Sequence, residues 1–152
     1  MKTAVAVLLM LLLLSCHHSP VPEEQEQLDL YLKEIHHTEI KGFQRLFVVV
    51  ISGRCGSCTE KTISFLKQLD KGDRYRDYKR IIIIPDNNAY VVDSFQQSSS
   101  RFIVDKSYVL EKYGINFPKN IFMEFRNDRL IFKDWLYMEN VDSVARRYHF
   151  NL

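Results

Sequence analysis

Cysteine is scarce in this chain, three residues among 152, and only one pair is spaced as CxxC. Small secreted domains stapled by disulfides carry more, so the cysteines do not form a scaffold. Structural zinc is disfavoured for a related reason. It needs four ligands, and neither a second CxxC nor a histidine pair at chelating spacing is present. His36 and His37 are adjacent, and on a helix such neighbours point about 100° apart, so they read as surface residues. Glycine is also sparse, five residues, and none belongs to a phosphate-cradling loop. Neither charge sign dominates: 21 Lys and Arg stand against 19 Asp and Glu, without the basic footprint of a nucleic-acid binder. No apolar run reaches the ~20 residues of a membrane-spanning helix. Repeats and long low-complexity tracts are absent.

The chain opens instead with a leader. Met1-Lys2 gives a positive start, and residues 4–14 are an unbroken apolar core ending at Ser15-Cys16, the pattern of a secretory signal. Leu13-Leu14-Ser15-Cys16 also resembles the bacterial lipobox. That resemblance implies a lipidated Cys16 as the mature N-terminus and a tether to a membrane from its extracytoplasmic side, for which two or three acyl chains suffice. The alternative is an ordinary signal whose removal leaves a stray cysteine. Loss of residues 1–16 removes one cation, Lys2, and leaves 20 basic against 19 acidic side chains. About 136 residues then remain, enough for one domain with a single core.

Residues 17–27 are polar, with Pro20, Pro22 and the cluster Glu23-Glu24-Gln25-Glu26, and read as a flexible tether. The domain is expected over residues 28–152. Leu28, Tyr31, Leu32 and Ile35 have helical spacing. Residues 46–51 form a continuous β-branched and apolar run suited to a strand buried on both faces, and residues 58–69 carry Ile63, Leu66 and Leu69 at helical spacing. A second buried strand follows at 80–84, closed by Pro85-Asp86-Asn87-Asn88. Then come a helix over 90–97, a strand at 102–104 and a short helix at 107–113. This alternation predicts parallel strands in βαβ connection. Residues 120–125 and 130–135 read as a hairpin. A last helix over 140–150 presents Val141, Val144 and Tyr148 to the sheet.

Cys55-Gly56-Ser57-Cys58 lies where the first strand hands over to a helix N-terminus. Exposed amides and the helix dipole favour a thiolate there. Cys55 is expected to be the exposed nucleophile, and Cys58, one turn in, the less exposed resolving thiol. Arg54, Gly56 and Ser57 are the candidates for tuning the pair, although Arg54 also reads as a plain surface cation. Asp93, Asp105, Glu111 and Glu124 show no catalytic spacing and read as solvated carboxylates. The aromatic residues follow strand and helix spacing and read as core.

The order of elements, the strand ahead of Arg54-Cys55-Gly56-Ser57-Cys58, and the segment Tyr113-Gly114-Ile115-Asn116-Phe117-Pro118 together resemble the thioredoxin fold. They look most like its membrane-tethered, extracytoplasmic thiol-disulfide oxidoreductases of the TlpA kind. The resemblance implies an α/β single domain with a central mixed sheet flanked by helices. It also implies exchange at Cys55 and Cys58 without a cofactor, and a Phe117-Pro118 loop that binds client peptide through a cis Pro118. The partners implied are a cysteine-bearing client protein and a redox partner that recharges the pair. Departures are visible: Arg54 replaces the usual tryptophan, Val49 replaces a buried acid, and Phe117 is bulky enough to narrow the client range. Two other readings stay open. One is a non-catalytic binding module of the same fold with a structural disulfide. The other is a copper-handling protein using the two thiolates with help from a histidine such as His149.

Overall fold

The computed structural model describes residues 22–95 and 98–152. The leader, Cys16 and most of the expected tether lie outside the described residues. Helix α1, Glu23–His36, precedes β1, Arg45–Val50, and α2, Gly56–Lys71. Strands β2, Lys79–Pro85, and β3, Arg101–Asp105, follow, joined by 3-10 turns over Asp86–Phe95. A single-turn helix α3, Val109–Lys112, leads to β4, Asn120–Arg126, and β5, Arg129–Leu136, and α4, Val141–Arg147, closes the chain.

The five strands form one mixed sheet in the order β3-β2-β1-β4-β5. β1, β2 and β3 run parallel, while β4 is antiparallel to both β1 and β5. β1 is therefore central, and its run of apolar residues is buried on both faces, as a parallel strand between helices requires. One face carries Phe47, Val49 and Phe122 against Phe65, Leu66 and Leu69 of α2 and Val141 and Val144 of α4. The other packs Leu46, Val48, Val50 and Met123 against Leu28, Tyr31 and Leu32 of α1. Each such fully buried side chain stabilises the fold by roughly 1.5–3 kcal/mol.

Two local expectations change, and the expected hairpin forms. Glu23–Gln27 is not tether but the first turn of α1, whose three glutamates suit the positive end of the helix dipole. Within it, Gln25 is buried, donates to the Asp128 carbonyl at 2.6 Å and accepts from Leu130 N at 2.8 Å. Where a helix is expected over 90–97, the described residues up to Phe95 belong to 3-10 turns that start at Asp86 and kink at Asn88. The hairpin turn forms without glycine, because Asn127 and Asp128 both take left-handed backbone, φ 47 and 64°, as a type I′ turn demands.

Candidate active site

Ser52 ends the buried run of β1, and the chain turns sharply at Gly53, φ +70°. A Cβ at Gly53 would lie 1.5 Å from Asn88 Nδ2, so this position needs glycine on both conformational and steric grounds. Cys55 is the N-cap of α2, in extended conformation. Its sulfur accepts from the Cys58 amide at 3.3 Å, and Ser57 Oγ lies 3.7 Å from the same atom. The first turn of α2 contains no acidic side chain, so nothing there competes for the helix dipole.

Cys55 and Cys58 are joined as a disulfide. Cys55 is part-exposed and Cys58 buried, 6% accessible, the asymmetry that attacking and resolving roles require. Gly56 is exposed, and a Cβ there would meet nothing within 4 Å. No packing contact therefore requires glycine at this position. A cavity of about 450 Å³ lined by Lys67, Asp70 and Phe95 lies along the far half of α2. Of the two cysteines, only Cys55 is open to solvent.

Arg54 does not aim freely at the sulfurs. Its guanidinium pairs with Glu111 at 2.8 Å and lies 5.8 Å from the Tyr108 ring centre. Tyr108 in turn accepts from Asn87 Nδ2 at 3.3 Å. Ser107 and Tyr108 both hold left-handed backbone, φ 57 and 54°, costly for non-glycine residues and characteristic of functional loops. Glu111, read from the sequence as a solvated carboxylate, is thus the counter-ion of the residue before Cys55.

Pro118 departs from expectation: no peptide bond among the described residues is cis. The trans isomer is intrinsically favoured by about 0.5–1 kcal/mol before proline. The segment is anchored by Phe117, which is fully buried beside Tyr108, while Pro118 is exposed. A ring in the core cannot select clients, so Phe117 does not narrow the client range as expected.

Asn120 joins this segment to the strand exit and the helix that flank the cysteines. Buried at 1% accessibility, it accepts from Ser52 N at 2.9 Å and donates to Thr62 Oγ1 at 3.0 Å. The start of β4, the exit of β1 and the second turn of α2 are locked through one amide. Neither Asn120 nor Asn88 stood out in the sequence; an asparagine opening an apolar strand was the one available signal.

Other sequence readings separate from the site. Asp105 and Glu124 are buried, each 1% accessible, rather than solvated. Burial raises the Asp105 pKa above its ordinary 3.8, with hydrogen bonds from Leu110 and Tyr31 working against the rise. His36 is half-buried and lies 2.9 Å from the Tyr31 hydroxyl. Burial lowers its pKa, with Asp105 opposing. His149 sits with Arg45 and Arg126 at the opposite end of β1 from the cysteines. A six-residue strand spans about 20 Å, so His149 is no ligand for a metal on Cys55 and Cys58. Val49 is buried where the resemblance would put an acid.

The sheet order and the cysteine pair at the N-terminus of the helix after the central strand define a thioredoxin-like fold. No family model matches the chain, and no curated protein matches it. Among solved structures it is similar to one described as thiol:disulfide interchange protein DsbE from Chlorobium tepidum. The identity is 11% over 70% of this chain and 78% of that one, with a TM-score of 0.48. A thiol-disulfide oxidoreductase from Bacteroides fragilis is similar at 11% identity, over 70% and 82% of the two chains, TM-score 0.47. The reduced N-terminal domain of PilB from N. meningitidis follows at 8%, over 74% and 85%, TM-score 0.42.

Proposed function

We propose that the protein is a thiol-disulfide oxidoreductase of the extracytoplasmic space, tethered to a membrane by lipid on Cys16. The observation that carries this reading is the unequal exposure of Cys55 and Cys58 at a helix N-terminus free of acids. In the oxidised form a client thiolate attacks Cys55 Sγ, the Cys55–Cys58 bond breaks, and Cys58 leaves as thiolate. A second client thiolate then attacks the client sulfur of the mixed disulfide and releases Cys55. Two electrons pass to the pair, the client gains a disulfide, and a partner dithiol-disulfide protein resets the pair. Reduction of a client disulfide runs through the same intermediates in reverse.

Departing Cys55 thiolate is stabilised by the Cys58 amide and by Ser57 Oγ. The exposed segment at Pro118, two residues before Asn120, borders the path of the client backbone. Arg54 acts on the pair only through what its pairing with Glu111 leaves. A Cys58→Ser variant should accumulate a mixed disulfide through Cys55 when mixed with envelope proteins, visible on non-reducing gels and by mass spectrometry. A Cys55→Ser variant should accumulate none. Equal absence of trapped client in both variants would sink the exchange reading.

A further inference from the structure

The mature chain is almost neutral, 20 basic against 19 acidic side chains once Lys2 is gone, yet arginines are gathered at one place. At the end of the sheet remote from the cysteines lies a cavity of about 380 Å³. Four arginines line it, Arg45, Arg74, Arg126 and Arg147, with His149 beside them. Two carboxylates oppose them. Asp77 lies 3.9 Å from Arg45, and Glu124 forms the floor. Two guanidinium charges are left in excess.

The floor is already satisfied. Glu124 accepts from the Tyr78 hydroxyl at 3.0 Å, the Tyr148 hydroxyl at 2.7 Å and Arg126 Nε at 2.8 Å. It therefore fixes Arg126 and has no vacancy for a cationic ligand. Burial, reinforced by Glu124, pushes the Tyr78 and Tyr148 hydroxyls up, so both stay protonated donors. Two further guanidiniums are held by aromatic faces. Arg147 lies 4.1 Å from the Phe132 ring centre and Arg45 5.6 Å from that of Tyr78. Stacking of this kind fixes the plane of the donor fork. Among the described residues, Arg74 and Arg147 have no carboxylate within ion-pair distance. Their charges are therefore not neutralised by an acidic partner of the fold.

We propose that this cavity is a binding site for a phosphate group, separate from the redox pair. Pre-oriented guanidinium forks match tetrahedral oxyanions bidentately, and the volume admits a phosphate carrying a substituent. Two sources share this chemistry, a free phosphate or phosphomonoester and the headgroup of an anionic phospholipid. The α1 N-terminus reaches the same end of the sheet, since Gln25 bonds the Asp128 carbonyl in the β4–β5 turn. A membrane tether would bring that end toward lipid and leave the cysteines outward.

The test titrates the folded protein with inorganic phosphate by calorimetry, against chloride at equal ionic strength. In parallel it measures co-sedimentation with phosphatidylglycerol and phosphatidylcholine vesicles. The Arg74→Ala/Arg147→Ala variant removes two exposed side chains remote from the cysteines, of which Arg147 covers the half-buried Phe132 ring from outside. Its far-ultraviolet spectrum and mixed-disulfide trapping should match the native chain. Saturable one-site phosphate binding, weakened roughly ten-fold or more in the variant, supports the site with a soluble source. Binding to phosphatidylglycerol alone, lost in the variant, supports it with a lipid source. Neither ligand binding, or either binding the variant as well as the native chain, overturns the proposal.

Discussion

Asp105 is the residue whose environment departs furthest from what its type leads one to expect. It closes β3, is almost inaccessible, and accepts from the Tyr31 hydroxyl at 3.1 Å and from the Leu110 amide at 3.2 Å. Desolvation outweighs these bonds and holds its pKa above 3.8. The folded protein thus keeps this proton to a higher pH than the unfolded chain does. Its contribution to stability is full below 3.8 and is lost as pH rises through the folded pKa. An Asp105→Asn variant cannot ionise and escapes that loss. Urea unfolding of both proteins at about pH 3 and about pH 7 should show the stability difference moving in the variant's favour at the higher pH. A difference independent of pH would mean that the carboxyl titrates alike in the folded and unfolded chain.

Among elements, the contact that matters most for the site is the junction of β1, β4 and α2 at Asn120. Replacing Asn120 by Ala leaves the Ser52 amide and Thr62 hydroxyl buried without that partner. A loss of about 2–4 kcal/mol is expected, read as a lower urea midpoint with an unchanged slope. Unchanged stability would show that the segment at Pro118 is held by Phe117 alone.

Elements whose burial is dictated locally were legible from sequence. The isoleucine run of β2 and the apolar run of β1 can only be strands between two helical layers, and the cysteine pair marks the start of α2. What was hidden depends on partners far along the chain. Glu124 is buried because Tyr78 and Tyr148, 46 and 24 positions away, close over it. Asp105 meets Tyr31 from 74 positions away. Glu23–Gln27 looked like tether because its one buried anchor, Gln25, finds its partners more than a hundred residues later. The approach of the Asn88 amide to Gly53 is likewise a contact between two loops that no local pattern encodes.

At the scale of the whole molecule the sheet separates two chemistries. The sulfurs lie beyond the end of β1, and the arginine cavity lies at its start, about 20 Å away along a six-residue strand. Both faces of that strand are covered by apolar clusters in which neither cysteine takes part. The disulfide closes a loop of only three sequence steps, for which chain entropy gives a contribution of about 2 kcal/mol. A brace would do more; a pair that opens and closes in each cycle must do little. A Cys55→Ser/Cys58→Ser protein should therefore unfold in a single cooperative transition, destabilised by about 2 kcal/mol, with its far-ultraviolet spectrum intact. Collapse of cooperativity in that variant would instead identify the bridge as structural. The fold would then be a binding module, in keeping with a buried Val49 where an exchange enzyme of the family it resembles places an acid.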